Sequence, residues 1–138
     1  MPNISIKNME HEYQEAEVLN FTEGLIGLPK MRRAVLIPMD EYQPFCWLAS
    51  LDDEKNRFIV VNPHAVFPDY APNIPQELSE TELQTLAIVK ISSDWQKTTI
   101  NLRAPIFVNS KTQKAAQVVL TESRYNLAET LPTLSHKS

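Results

Sequence analysis

The apolar residues of this chain come in short runs that prolines and polar turns keep interrupting. Ten prolines are spread along 138 residues, and the only two glycines sit together in EGLIGLPK (23–30). Proline lacks a backbone donor and fixes φ, so such a chain has little room for long helices or long central strands. What remains between the breaks is β-like. EAEVLNF (15–21), RRAVLIPM (32–39), PFCWLASL (44–51) and NRFIVVNP (56–63) are rich in valine, isoleucine and aromatics, and read as strands. LAIVKIS (86–92), TTINLRAPIFVN (98–109) and AAQVVLT (115–121) read the same way. LDDEKNRF (51–58) and SSDWQK (92–97) read as hairpin connections. Pro105, inside one run, implies an edge position, a bulge or a break into two shorter strands.

One helix is expected. Ser79 followed by Glu82 has the spacing of a capping box, and Leu83 and Leu86 lie on one helical face, which predicts a short helix near 80–87. Together these elements predict a mainly β, single-domain pseudo-barrel of about seven or eight short strands, since closure removes the exposed edges of a small all-β domain. The domain is expected over residues 1–126, with 127–138 as a loose tail.

Composition narrows the function. A formal charge of −4 is the wrong sign for a protein that grips nucleic acid through lysine and arginine. Phe45, Trp47, Phe58 and Phe107 are candidates for stacking on bases, but Phe45, Trp47 and Ala49 alternate onto one strand face, which first of all makes a core. No apolar stretch is long enough to span a bilayer, and the N-terminus lacks the pattern of a secretory signal, so a cytoplasmic protein is expected.

The inventory for catalysis is thin. The single cysteine, Cys46, lies between Phe45 and Trp47, where a thiol is a small buried hydrophobe with a raised pKa. A dyad of Cys46 with His64 is the one nucleophilic arrangement to weigh, and burial argues against it. His11, His64 and His136 are far apart and carry no second ligand at helical spacing, so no metal is expected. Gly24 and Gly27 are followed by Lys30, yet Pro29 and the β-type run RRAVLI come next, so there is no helix end to cradle a phosphate. A turn is expected, with Leu25, Ile26 and Leu28 packing inward. No enzyme and no cofactor are expected.

A binding module remains, and several short motifs point to one family. Phe21-Thr-Glu-Gly24-Leu25-Ile-Gly27-Leu28 is followed by Pro44-Phe45, then Ser50, Asp52 and Asp53. Phe58-Ile-Val-Val-Asn-Pro63, Asp69-Tyr70, Asn101-Leu102-Arg-Ala104-Pro105, Asn109, Gln117 and Tyr125 complete the order. This series resembles the flagellar assembly factor FliW family from about residue 18 to 126. Leu28 departs from an aromatic, and Ala116 from a small turn residue.

The resemblance implies a small β pseudo-barrel that works by protein contact in the bacterial cytoplasm. It implies binding to flagellin and to CsrA, the RNA-binding translational repressor, with flagellin capture releasing CsrA to shut down flagellin translation. A monomer without direct nucleic-acid or membrane contact is expected. A dedicated flagellin chaperone that leaves CsrA alone is the alternative, followed by a single-strand-binding barrel. Phe67, Asp69 and Tyr70 on the proline-rich loop are the candidate contacts, with Asp52, Asp53 and Glu54 as an acidic rim. Phe67 and Tyr70 could equally pin that loop to the core. Phe21, Gly24, Leu25, Gly27, Pro44, Phe45, Ser50, Asn101, Leu102, Pro105, Asn109 and Gln117 read as framework.

Overall fold

The structure is a computed structural model that describes residues 2–6, 9–53, 55–74, 82–122 and 124–131. Eleven strands lie among them: β1 (Asn3–Ile6), β2 (Met9–Glu12), β3 (Leu19–Phe21), β4 (Arg33–Pro38), β5 (Cys46–Ser50), β6 (Arg57–Val61), β7 (Leu83–Lys90), β8 (Thr99–Ile100), β9 (Ile106–Asn109), β10 (Lys114–Gln117) and β11 (Glu129–Thr130). Single 3-10 turns occupy Glu15–Glu17, Asp40–Tyr42, Pro63–Ala65 and Trp95–Lys97.

Seven of these strands close on themselves. The order β7-β6-β5-β4-β3-β10-β9 returns to β7 through a second pairing, Leu83 to Leu86 against Asn109 to Ile106. Each neighbouring pair in the ring is antiparallel except β3 and β10, which run parallel. Strand β7 is the longest, and its far end also carries β8, which in turn carries β11.

The runs look uniformly apolar because the strands are buried on both faces. Inward residues such as Phe21, Leu48, Val60, Leu86, Ile106 and Val108 fill the barrel. Outward residues of β4 and β5, namely Val35, Ile37 and Ala49, lie under Ile4, Ile6 and Val18, so the β1–β2 hairpin covers that wall. Outward residues of β6 and β7, namely Val61, Ala87 and Val89, lie under Val66, Tyr70, Ile100 and Leu102. Each fully buried valine, leucine, isoleucine or phenylalanine among them contributes roughly 1.5–3 kcal/mol, so the outer covers are part of the stability of the ring.

The helix expected near 80–87 is not formed. Residues 80 and 81 lie outside the described residues, Glu82 has φ +69, and from Leu83 the chain is strand β7. The three-residue spacing of Leu83 and Leu86 suggested helix, but Thr85, Ile88 and Val89 in the same stretch are β-branched. Partners on both edges of β7 decide the matter. Pro105 takes the third of its options, a break: β8 ends at Ile100 and β9 begins at Ile106. Between them the Asn101 side-chain oxygen accepts from the N–H groups of Arg103 (3.1 Å) and Ala104 (2.9 Å). The N-terminal hairpin was not expected, and β11 lies wholly beyond residue 126, inside the stretch expected as a loose tail.

Candidate functional site

The proline-rich loop leaves β6 at Asn62, whose side-chain oxygen accepts from the His64 N–H at 2.9 Å and starts the 3-10 turn. Val66 and Tyr70 are then buried against the outer wall, Phe67 is half-buried there, and Asp69 is exposed. Tyr70 is only 4% exposed, its hydroxyl donates to the Leu102 carbonyl at 2.6 Å, and its ring meets Tyr125 edge-on at 4.7 Å. Burial, with smaller contributions from Tyr125 and Glu122, pushes its phenol well above the usual tyrosine range. Tyr70 therefore offers position, and Phe67 and Asp69 offer surface.

Beyond Tyr70 the loop is clasped to the segment before β11. The Ala71 N–H donates to the Tyr125 hydroxyl at 3.0 Å, and the Asn73 N–H donates to a Glu122 carboxylate oxygen at 2.6 Å. Arg124 donates to the Ala71 carbonyl at 3.0 Å, pairs with Glu122 at 2.9 Å and lies over the Tyr125 ring at 4.7 Å. The Asn73 N–H, with Arg124 beside it, holds the Glu122 carboxyl below the usual carboxylate range, against an opposing desolvation. Glu122 and Arg124 escaped the sequence reading because they act on backbone groups of a loop about 50 residues away, which no local spacing reveals.

The acidic rim lies elsewhere. Asp52 and Asp53 are on the β5–β6 turn, at the opposite end of β6 from the loop, and five strand residues separate the two places by roughly 15 Å. Glu54 lies outside the described residues. The buried Ser50 hydroxyl accepts from the N–H groups of Asp52 and Asp53, each at 3.0 Å. Asp52 accepts from the N–H groups of Arg32 (2.7 Å) and Arg33 (2.9 Å), which ties the turn to the start of β4. The result is a cleft of about 410 Å³ between this turn and the glycine turn, lined by Gly27, Lys30, Ser50, Asp52 and Asp53 among others. The structure brings Asp52 and Asp53 next to Gly27, away from Phe67.

The glycine segment is a tight β-turn. Leu25 and Leu28 exchange backbone hydrogen bonds at 3.1 and 2.8 Å around Ile26-Gly27, and both glycines have positive φ, +72 and +84. Leu25 is buried and Leu28 packs against the barrel interior, but Ile26 is 57% exposed. Its expected inward packing fails because it sits at the apex, where the turn faces outward. The Ile26 N–H donates to the Gln117 side-chain oxygen at 2.9 Å, and the Gln117 amide donates to the Ala104 carbonyl at 3.1 Å. Gln117 thus links the turn, β10 and the Pro105 break. Asn109 likewise accepts from Lys111 and Thr112 N–H groups at 2.9 and 3.1 Å.

Cys46 and His64 belong to different sides of the barrel wall. Cys46 is half-buried against the barrel interior, and burial pushes its thiol up. His64 Nδ1 is 3.1 Å from the Asn62 side-chain oxygen, and its ring lies against Tyr70. Among the described residues no group of three or more His, Cys, Asp or Glu side chains is placed to hold a metal ion. No helix among them is long and apolar enough to cross a membrane.

Comparison with known proteins gives one consistent result. The family model described as FliW protein matches residues 5–131. A flagellar assembly factor FliW of Bacillus licheniformis is 36% identical over 123 residues, covering 84% of this chain and 86% of that protein. The FliW of Bacillus pumilus is 33% identical over 133 residues, covering 91% and 92%. That of Caldicellulosiruptor saccharolyticus is 31% identical over 125 residues, covering 86% and 82%. A crystal structure of the flagellar assembly factor FliW superposes with a TM-score of 0.84 at 24% identity, covering 94% of this chain and 96% of that one, so the two share the fold. With its matched span running from β1 to the end of β11, this chain belongs to the FliW family of flagellar assembly factors.

Proposed function

We propose that this protein is a non-enzymatic regulator of the bacterial cytoplasm that binds flagellin and, in its absence, CsrA. When flagellin is scarce the protein keeps CsrA from flagellin mRNA. When flagellin accumulates it captures the protein, and the freed CsrA stops further flagellin synthesis. The observation that carries this reading is the family match from residue 5 to residue 131. The geometry supports it in one respect: the 62–74 loop and the acidic turn occupy opposite ends of β6, leaving room for two partners on a monomer.

The two surfaces differ in chemistry. Asp52 and Asp53 suit a basic RNA-binding partner, since complementary charge raises the association rate and makes binding salt-sensitive. Phe67 and Asp69, on a loop held by a rigid wall, suit a protein partner with an apolar contact. Direct nucleic-acid binding finds no support in Phe107, which is 1% exposed.

Calorimetric titration with CsrA from the same organism, before and after saturation with flagellin, tests the reading. CsrA binding that disappears once flagellin is present supports it. Flagellin binding with no CsrA binding at low salt replaces it with a dedicated chaperone. Binding to neither protein overturns it.

A further inference from the structure

The outer wall of the barrel is covered in two places and open between them. The β1–β2 hairpin covers β4 and the near part of β5, and the 62–70 loop with β8 covers β6 and β7. Between them runs a groove of about 610 Å³ whose floor includes Trp47 and Ile59, paired across β5 and β6. Phe45 and Trp95 meet edge-on at 6.2 Å along one side. Tyr42 and Trp95 stand 62% and 45% exposed at its rim. Phe45 and Ile59 pack against the same outer cluster as Phe67, so the groove adjoins the loop surface.

We infer that this groove docks an amphipathic segment of the flagellin subunit, apolar along one face with a lysine or arginine beside it; the inference rests on the partner reading above. The lining is aromatic and aliphatic and carries one charge, the carboxylate of Glu41, with Asp40 preceding it on the same turn. Arg57 is taken up on the face of Trp47 at 5.4 Å, while Lys90 and Lys97, close in sequence to Ile91 and Trp95, do not line the groove. A repressor that grips RNA phosphates presents clustered cations, and one lining carboxylate is a poor match for them. A subunit destined for a polymer carries apolar surfaces that permanent packing will bury, and an apolar groove with aromatic anchors is the matching complement.

Both tryptophans of the chain, Trp47 and Trp95, line the groove, so intrinsic fluorescence reports on its occupancy without a label. The probe is a tryptophan-free synthetic leucine–lysine amphipathic helix, titrated beside a leucine–glutamate helix with the same apolar stripe. Flagellin is then added as a competitor. The expected result is a blue shift with the leucine–lysine helix and reversal of that shift by flagellin. Binding should be about tenfold or more weaker for the leucine–glutamate helix and for the Tyr42→Ala variant, as for loss of a hot-spot contact. Tyr42 is exposed, so this variant is expected to fold, and an unchanged urea midpoint confirms that. Trp95→Ala, read by calorimetry, is the second variant. Equal binding of both helices, or unchanged binding by both variants, overturns the inference. Flagellin that binds fully while the peptide stays in place overturns the docking site alone, and flagellin that does not bind at all overturns the partner reading.

Discussion

The hydroxyl of Tyr70 donates to the carbonyl of Leu102 at 2.6 Å, across 32 positions of sequence, and fixes the proline-rich loop to the segment between β8 and β9. Tyr70→Phe keeps the ring and leaves that carbonyl without its partner in a buried place. A loss of about 1–3 kcal/mol is expected. Tyr70→Ala also empties an aromatic site and is expected to cost about 3–5 kcal/mol. Urea denaturation of the two variants measures both, and equal costs would mean that the hydroxyl contributes nothing.

The two glycines should differ in tolerance. Gly27→Ala meets open space and suffers only the left-handed backbone, for which about 1–2 kcal/mol is expected. At Gly24 a Cβ would overlap the backbone of Pro29 as well, so Gly24→Ala should cost clearly more. Thermal or denaturant midpoints of the pair settle the order.

Ser50 and Asp52 form a relay between the β5–β6 turn and β4. Ser50→Ala removes the acceptor shared by the Asp52 and Asp53 N–H groups, and a loss of about 1–2 kcal/mol is expected. Asp52→Ala frees the N–H groups of Arg32 and Arg33, whose hydrogen exchange should then speed up while that of β7 stays slow.

Acid should open the clasp. The folded Glu122 carboxyl is held below its unfolded value by the Asn73 N–H and by Arg124, so its stabilisation is full above the ordinary carboxylate range. It is lost as pH falls through the depressed folded value. Amide exchange at Ala71 and Asn73 is expected to rise in that window, and Glu122→Gln should remove most of the pH dependence. An identical acid profile in that variant would assign the transition to another carboxylate.

How much of this was legible depends on where the information lies. Strands β4, β5 and β6 could be read because their runs of aliphatic and aromatic residues are bounded by polar turns. The N-terminal hairpin could not, although Ile4 and Ile6 alternate, because four-residue strands gain their stability only from the wall they cover. Strand β7 was misread at its start, where Leu83 and Leu86 mimic a helical face and only distant partners reveal the ladder. The candidate loop was found through its prolines and aromatics. Its clasp was not, since Glu122 and Arg124 look like any solvated pair until Ala71 and Asn73 arrive beside them. The separation of Asp52 from Phe67 followed from strand direction, which a list of motifs does not contain.

The parallel pairing of Asn20 and Phe21 with Lys114 and Ala115 has a consequence during synthesis. These residues come from opposite ends of the domain, so the ring cannot close until nearly all of it has left the ribosome. Until then the nascent chain displays the inner surfaces of β3 to β7 with nothing to seal them, a slow and exposed route that non-local pairing imposes.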